Sequence, residues 1–236
     1  MCEETTMNFE KFRNIKTWVF DLDNTLYPPE VCLFDQIEEK MRIFVANFLD
    51  VSLTEADTLR AMYWQSHGTT LAGMMDIHSM PPDSFLKVVH DIDFSVVPPS
   101  PSIAKLLAAL PGRKIVYTNG TEPYARKVLQ ARELENEFEA VFGIEHANYH
   151  PKPLATAFKK VFNLANVTPN NSAMFEDDHR NLEVPAQLGM KTVFVSSEQK
   201  IPNYVDVVHP SLEFLLSQIV TTCFPKRLKT SSREAW

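Results

Sequence analysis

Five short runs constrain the fold of this chain more than any other feature: Thr17-Trp18-Val19-Phe20, Lys114-Ile115-Val116-Tyr117, Ala140-Val141-Phe142, Ala173-Met174-Phe175 and Thr192-Val193-Phe194-Val195. Each is apolar without alternation, which suits a strand buried on both faces of a parallel sheet. Between and after them lie helix-like segments at 102–110, 122–134, 153–164, 181–188 and 211–220, several with apolar residues spaced by three and four. Strands alternating with helices predict an α/β, doubly wound parallel sheet.

Residues 29–97 interrupt that alternation. Leu33, Ile37, Met41, Phe44 and Phe48 share one helical face, and Ser52 with Glu55 offers a capping box for a second helix ending near Gly68. Further helices are expected at 70–78 and 82–91. The segment reads as an all-helical insertion into a core made of 1–28 and 98–224. Prolines at both crossings, Pro28-Pro29 and Pro98-Pro99-Ser100-Pro101, stiffen connections that are expected to act as hinges. The basic tail 225–236 is expected to be disordered.

Composition narrows the function. A formal net charge of −7 disfavours a nucleic acid polymer, whose recognition needs clustered Lys and Arg. No apolar run reaches the roughly 20 residues needed to cross a bilayer, and the acidic start MCEETTMNFE lacks the features of a signal peptide, so a cytoplasmic location is expected. Cys2, Cys32 and Cys223 are too scattered for a disulfide framework or a metal knuckle.

Chemistry gathers at the predicted carboxyl ends of the strands, where open α/β sheets bind ligands. Asp21 and Asp23 follow the first run; two carboxylates this close either are solvated loop acids or hold a hard cation such as Mg²⁺ between them. An EF-hand loop is excluded, since counting from Asp21 places Leu26 where glycine is required and Cys32 where the bidentate glutamate belongs. Thr118-Asn119-Gly120 follows the second run and can donate hydrogen bonds to a phosphoryl group. Lys152 stands at a helix start, and Glu176-Asp177-Asp178 leaves the fourth run.

In that order, DxDxT, TN, K and an acidic pair, the chain resembles the haloacid dehalogenase-like (HAD) hydrolase superfamily over nearly its whole length, with the insertion resembling a C1-type cap. DLDNTLYP, VYTNG, HPKP and FEDD are most similar to the pyrimidine 5′-nucleotidase-like branch. The resemblance implies a Mg²⁺-dependent phosphomonoester hydrolase acting on a small phosphorylated metabolite, a pyrimidine nucleoside 5′-monophosphate first and phosphoglycolate or a sugar phosphate next. It implies Asp21 as nucleophile and Asp23 as general acid and base. Thr118, Asn119 and Gly120 would be the phosphate cradle, with Lys152 as the neutralising cation. The metal ligands would be Asp21, Asp23 through its carbonyl, Asp177, and Glu176 through water. Asp178 stands where relatives carry Ser, which leaves the ligand assignment open between Asp177 and Asp178. Asn181 is expected to support that loop.

Asp23 argues for an alcohol leaving group, because halide expulsion needs no acid there; a phosphomutase would keep the same residues. A receiver domain places its acid pair first and its phosphoacceptor two strands later, an order this chain does not follow, while a phosphate-binding regulator would share the fold but not need the full acid set. Specificity is expected from the insertion, where Tyr63, Trp64, His67, Gly68, Thr69 and Thr70 mark the meeting of two helices. Tyr63 and Trp64 are residue types that more often pack between helices, and His150 could tune the Lys152 site.

Overall fold

The computed structural model describes residues 7–227, so Cys2 and the tail expectation for 228–236 lie outside the described residues. Six parallel strands form one sheet in the order β3-β2-β1-β4-β5-β6. They are β1 (Thr17–Phe20), β2 (Arg113–Tyr117), β3 (Ala140–Phe142), β4 (Ser172–Glu176), β5 (Lys191–Phe194) and β6 (Val207–Val208). The fold is the doubly wound α/β arrangement that the apolar runs predict. The two-residue β6 was not expected, because a pairing this short leaves no apolar run to read.

Burial on both faces explains the missing alternation. On one face Trp18 and Phe20 pack with Phe175 and Val193 against α5 (Pro101–Ala109), α6 (Glu122–Ala131) and α9 (Leu212–Cys223). On the other, Val19, Tyr117 and Met174 pack with α7 (Ala155–Leu164) and α8 (Arg180–Gln187). Phe20 stacks on Phe175 with ring centroids 4.4 Å apart, locking β1 to β4 at the sheet centre.

Between β1 and β2 in the chain come α1 (Leu33–Leu49), α2 (Leu53–His67), α3 (Thr70–His78) and α4 (Pro82–Val89). Ser52 caps α2 by accepting from the Glu55 amide, and Thr69 caps α3 by accepting from the Ala72 amide. Gly68 ends α2 at φ +85°, a left-handed turn that lets α3 start two residues later. Phe48 departs from the expected apolar face of α1: it is 45% exposed, stacked on Phe44 near the helix end, while Leu33, Ile37, Val45 and Ala46 are buried. Helix α4 ends at Val89 and not at residue 91, because His90 leaves the helix to lie on the Tyr124 ring. Helix α6 ends before 134, where Glu133 takes φ +56°.

Among the described residues no helix is long and apolar enough to cross a membrane. Cys32 and Cys223 are both free thiols.

Candidate active site

The strand order reverses direction at β1: the chain first runs outward to β2 and β3, then returns to β4 on the other side. Ligands in such sheets bind at this switch point. Asp21, Thr118 and Glu176–Asp177 all leave strands there.

Lys152 is the hub. Its ammonium donates to Asp21 Oδ1 at 2.6 Å, to the Tyr117 carbonyl at 3.0 Å and to Glu176 Oε1. Lys152 is 1% exposed, so a full charge is buried and satisfied by two carboxylates and a carbonyl. Burial is the strongest single influence and lowers its pKa, but Asp21 and Glu176 together outweigh it and the net shift is upward; Lys152 is an ammonium. Its backbone is held by Asn119, whose side chain accepts from the Lys152 amide at 2.8 Å and donates to its carbonyl at 3.2 Å. Asn119 thus positions the Lys152 loop. Thr118 Oγ1 accepts from the Gly120 amide at 2.9 Å, folding the turn after β2.

Glu176 is fully buried. Oε1 accepts from Lys152 and from Asn181 Nδ2, and Oε2 from the Asp178 amide. Carboxylate oxygens of Asp21, Glu176 and Asp177 lie within 4.8 Å of one another. Three carboxylates facing one ammonium leave an excess of negative charge, and the acids respond. Burial, then Glu176 and Asp21, raises Asp177 to about 9; burial, then Asp21, raises Glu176 to about 7; burial raises Asp21 against the pull of Lys152. An oxygen-only donor set with surplus negative charge fits Mg²⁺, and the buried Asn181 Oδ1 has no protein partner among the described residues.

Asp178 behaves differently. Although burial raises it, the Arg180 guanidinium holds it below the usual range through a bidentate pair. Asp178 is committed to Arg180, and Asp177 is the acid that joins Asp21 and Glu176.

Asp23 Oδ1 accepts from the hydroxyls of Tyr27 at 2.6 Å and Tyr124 at 2.5 Å. Burial and then the Asp21 charge raise its carboxyl to about 6, against these two bonds. Burial, reinforced by Asp23, raises both phenols far above their ordinary value, so both stay donors. Burial, helped by Lys127, lowers His90 to about 4, so it stacks on Tyr124 as a neutral ring.

Above these groups lies a cavity of about 570 Å³, lined from the strand side by Asp23, Asn119, Gly120 and Lys152. The helical side contributes Phe34, Ile37, Met41, Trp64 and Phe85, with Arg60 beside Glu38 and Asp57.

Of the residues expected to face substrate, Trp64, Gly68, Thr69 and Thr70 line this cavity. Tyr63 does not, which corrects the expectation. It is 1% exposed and bonds His78 Nε2 through its hydroxyl, with Gly73 so close that an added Cβ would lie 2.5 Å from the ring. His67 is corrected too: it faces a neighbouring cleft with His150 and contacts Asp76 at 3.2 Å. Sequence reading missed Tyr124, His90, Arg60 and Arg180. Arg180 stands two residues after FEDD and Tyr124 four after VYTNG, so proximity to a motif was the one signal for them, whereas His90 and Arg60 reach the site through tertiary packing.

A family model of haloacid dehalogenase-like hydrolases matches residues 15–189. A HAD phosphatase from Thermococcus onnurineus superposes with a TM-score of 0.59 at 16% identity, covering 89% of this chain and 98% of that one. The L-2-haloacid dehalogenase from Xanthobacter autotrophicus with chloropropionic acid covalently bound gives a TM-score of 0.55 at 16% identity over 89% and 99%. A putative HAD-hydrolase from Bacillus subtilis bound to magnesium gives 0.55 at 15% identity over 87% and 99%. With the family model matching most of its length, the chain belongs to the haloacid dehalogenase-like hydrolases.

Proposed function

We propose that the protein is a Mg²⁺-dependent phosphomonoester hydrolase that works through an aspartyl-phosphate on Asp21. The observation that carries this reading is the pairing of two differently treated acids. Asp21 Oδ1 is bonded to the Lys152 ammonium, whereas Asp23, two residues on, is held by the Tyr27 and Tyr124 hydroxyls and lines the cavity. Neighbouring carboxyls in such different surroundings support a nucleophile and a general acid. Displacement of halide requires no such acid, so Asp23 favours an alcohol leaving group.

In the first step an Asp21 oxygen attacks phosphorus and the bond to the leaving oxygen breaks, with Asp23 giving that oxygen its proton. In the second, Asp23 takes a proton from water as the water attacks phosphorus, releasing phosphate and restoring the Asp21 carboxylate. Lys152 and the Thr118–Gly120 turn offset the charge on the phosphoryl oxygens. Asp21, Asp177 and Glu176 would hold Mg²⁺, with the Asp23 carbonyl as a further oxygen, and the ion would supply electrostatic stabilisation of the transferring group. A cavity with apolar walls and an aromatic at Trp64 supports a leaving group larger than glycolate, and a pyrimidine nucleoside 5′-monophosphate is the first class to test.

The experiment is turnover of p-nitrophenyl phosphate and of a nucleoside monophosphate panel, with Mg²⁺ and with chelator. Asp21→Asn is expected to abolish turnover and Lys152→Ala to depress kcat. Retention of even a tenth of the activity in Asp21→Asn contradicts covalent catalysis by that carboxylate.

A further inference from the structure

We infer that Tyr124, with Tyr27, positions Asp23 through Oδ1 so that Oδ2 is the oxygen left to exchange a proton with the leaving group and with water, and that His90 ties this positioning to the helical insertion. The inference rests on the phosphomonoesterase reading above and adds to it which oxygen of the acid acts and what holds it.

Both hydroxyls bond the same oxygen, Oδ1, at 2.6 Å and 2.5 Å. A carboxyl oxygen has two acceptor positions, and here both are taken. That leaves Oδ2 as the oxygen that can give a proton to the leaving group and take one from water. The anchors come from separate elements: Tyr27 from the loop after β1, Tyr124 from the first turn of α6, 101 residues away from Asp23 in sequence. Both tyrosines are almost fully buried, at 1% and 2% exposure. Two such anchors fix the direction of the acid as well as its position.

The Tyr124 ring is itself clamped. His90, the residue that terminates α4, stacks on it with centroids 4.4 Å apart and planes 10° apart. His90 Nδ1 also lies 3.1 Å from the hydroxyl of Thr121, the N-cap of α6. From below, Gly120 gives the ring room, since a Cβ there would stand 2.8 Å from it. A displacement of α4 therefore acts on the ring that orients the acid. Asp21 is held instead by the Lys152 ammonium and through its amide by the Phe175 carbonyl.

A merely structural tyrosine and a positioning one differ in how their loss depends on the leaving group. The value of kcat/KM reports the steps through the first phosphoryl transfer, where an alkoxide needs a proton and p-nitrophenolate does not. The test compares kcat/KM for p-nitrophenyl phosphate with that for whichever alkyl ester the wild type hydrolyses fastest among glycerol, sugar and nucleoside 5′-phosphates. Tyr124→Phe, which removes one oxygen and keeps the ring, is expected to lower the alkyl-to-aryl ratio about tenfold, and Asp23→Asn by on the order of a hundredfold. His90→Ala is expected to lower the ratio about threefold, with His90→Phe restoring it because the stack persists. Equal losses on both esters in Tyr124→Phe overturn the positioning role. An unchanged ratio in His90→Ala overturns the link to the insertion. A wild type inert toward every ester with Mg²⁺ removes the phosphatase reading and this inference together, a pattern distinct from either.

Discussion

The guanidinium carbon of Arg180 lies 3.6 Å from the centroid of the Trp64 ring, while the same guanidinium pairs with Asp178. Arg180 opens α8 on the sheet side of the cavity and Trp64 belongs to α2 on the helical side, so one side chain spans the mouth. The pair also accounts for the division of labour between adjacent acids, since Arg180 engages Asp178 and leaves Asp177 to the carboxylate cluster.

Loss of that contact should act on binding more than on chemistry. A cation on an exposed aromatic face is worth about 0.5–1 kcal/mol, and Trp64 is 49% exposed. Trp64→Ala is expected to raise KM for p-nitrophenyl phosphate roughly two- to fivefold with kcat little changed, and Trp64→Phe to keep most of the affinity. Steady-state kinetics decides; an unaltered KM means that the contact does not help close the mouth over substrate.

The crowded acids predict how the metal-free protein responds to pH. Asp23, Glu176 and Asp177 are raised to about 6, about 7 and about 9 in the fold, against unfolded values of about 4. Between the unfolded and folded values the native state binds more protons, so stability falls as pH rises. Lys152 is raised as well and its slope has the same sign, but that slope lies above the unfolded lysine value, so below it Lys152 stabilises the fold by a constant amount and adds no slope in this window. His90, lowered to about 4, opposes this slope up to its unfolded value of about 6.5, so the Tm in chelator should decline most clearly from about pH 6.5 to about pH 9. Added Mg²⁺ should raise Tm more at pH 8 than at pH 5, because at low pH it competes with protons for the same oxygens. Asp177→Asn should flatten the slope and shrink the Mg²⁺ response. A Tm in chelator that climbs across this range contradicts the carboxylate cluster as described.

Much of this arrangement was legible because its causes are local. β1 appears at Thr17–Phe20 as its apolar run predicts, since burial on two faces leaves no polar alternation to confuse the pattern. Asp21, Thr118 and Glu176 could be placed at strand ends for the same reason. Tyr63 was misplaced because a tyrosine between two helices reads alike whether it faces a cavity or a glycine, and only the Gly73 contact distinguishes them. Tyr124 and His90 were missed for a further reason. Each acts on Asp23 across more than 60 residues of chain through one hydroxyl and one stacked ring, and neither leaves a periodic or compositional trace.

Arg132, buried at the end of α6, gathers both crossings to the helical insertion. Its Nε donates to the Leu26 carbonyl at 3.1 Å and its Nη1 to the Pro98 carbonyl at 2.6 Å, while its own carbonyl accepts from the Ser100 amide at 3.0 Å. The proline-stiffened connections are therefore tied to one another through a single guanidinium that is 4% exposed. Arg132→Met keeps the length and apolar packing of the stem but leaves both carbonyls without their donor. At about 1–3 kcal/mol for an unsatisfied buried group, the buried Leu26 carbonyl sets an expected loss of about 1–3 kcal/mol of unfolding free energy in urea, since the carbonyl of the exposed Pro98 can be rehydrated. Arg132→Lys, with one compact donor group in place of the planar fork, should fall between. Amide hydrogen exchange should accelerate at Leu26, Tyr27, Val97 and Ser100 in the Met variant, the residues there that carry an amide hydrogen, while the sheet centre around Val19 and Met174 changes only by the global loss. If protection at both crossings falls no more than at the sheet centre, Arg132 contributes to overall stability without acting as the tie between them.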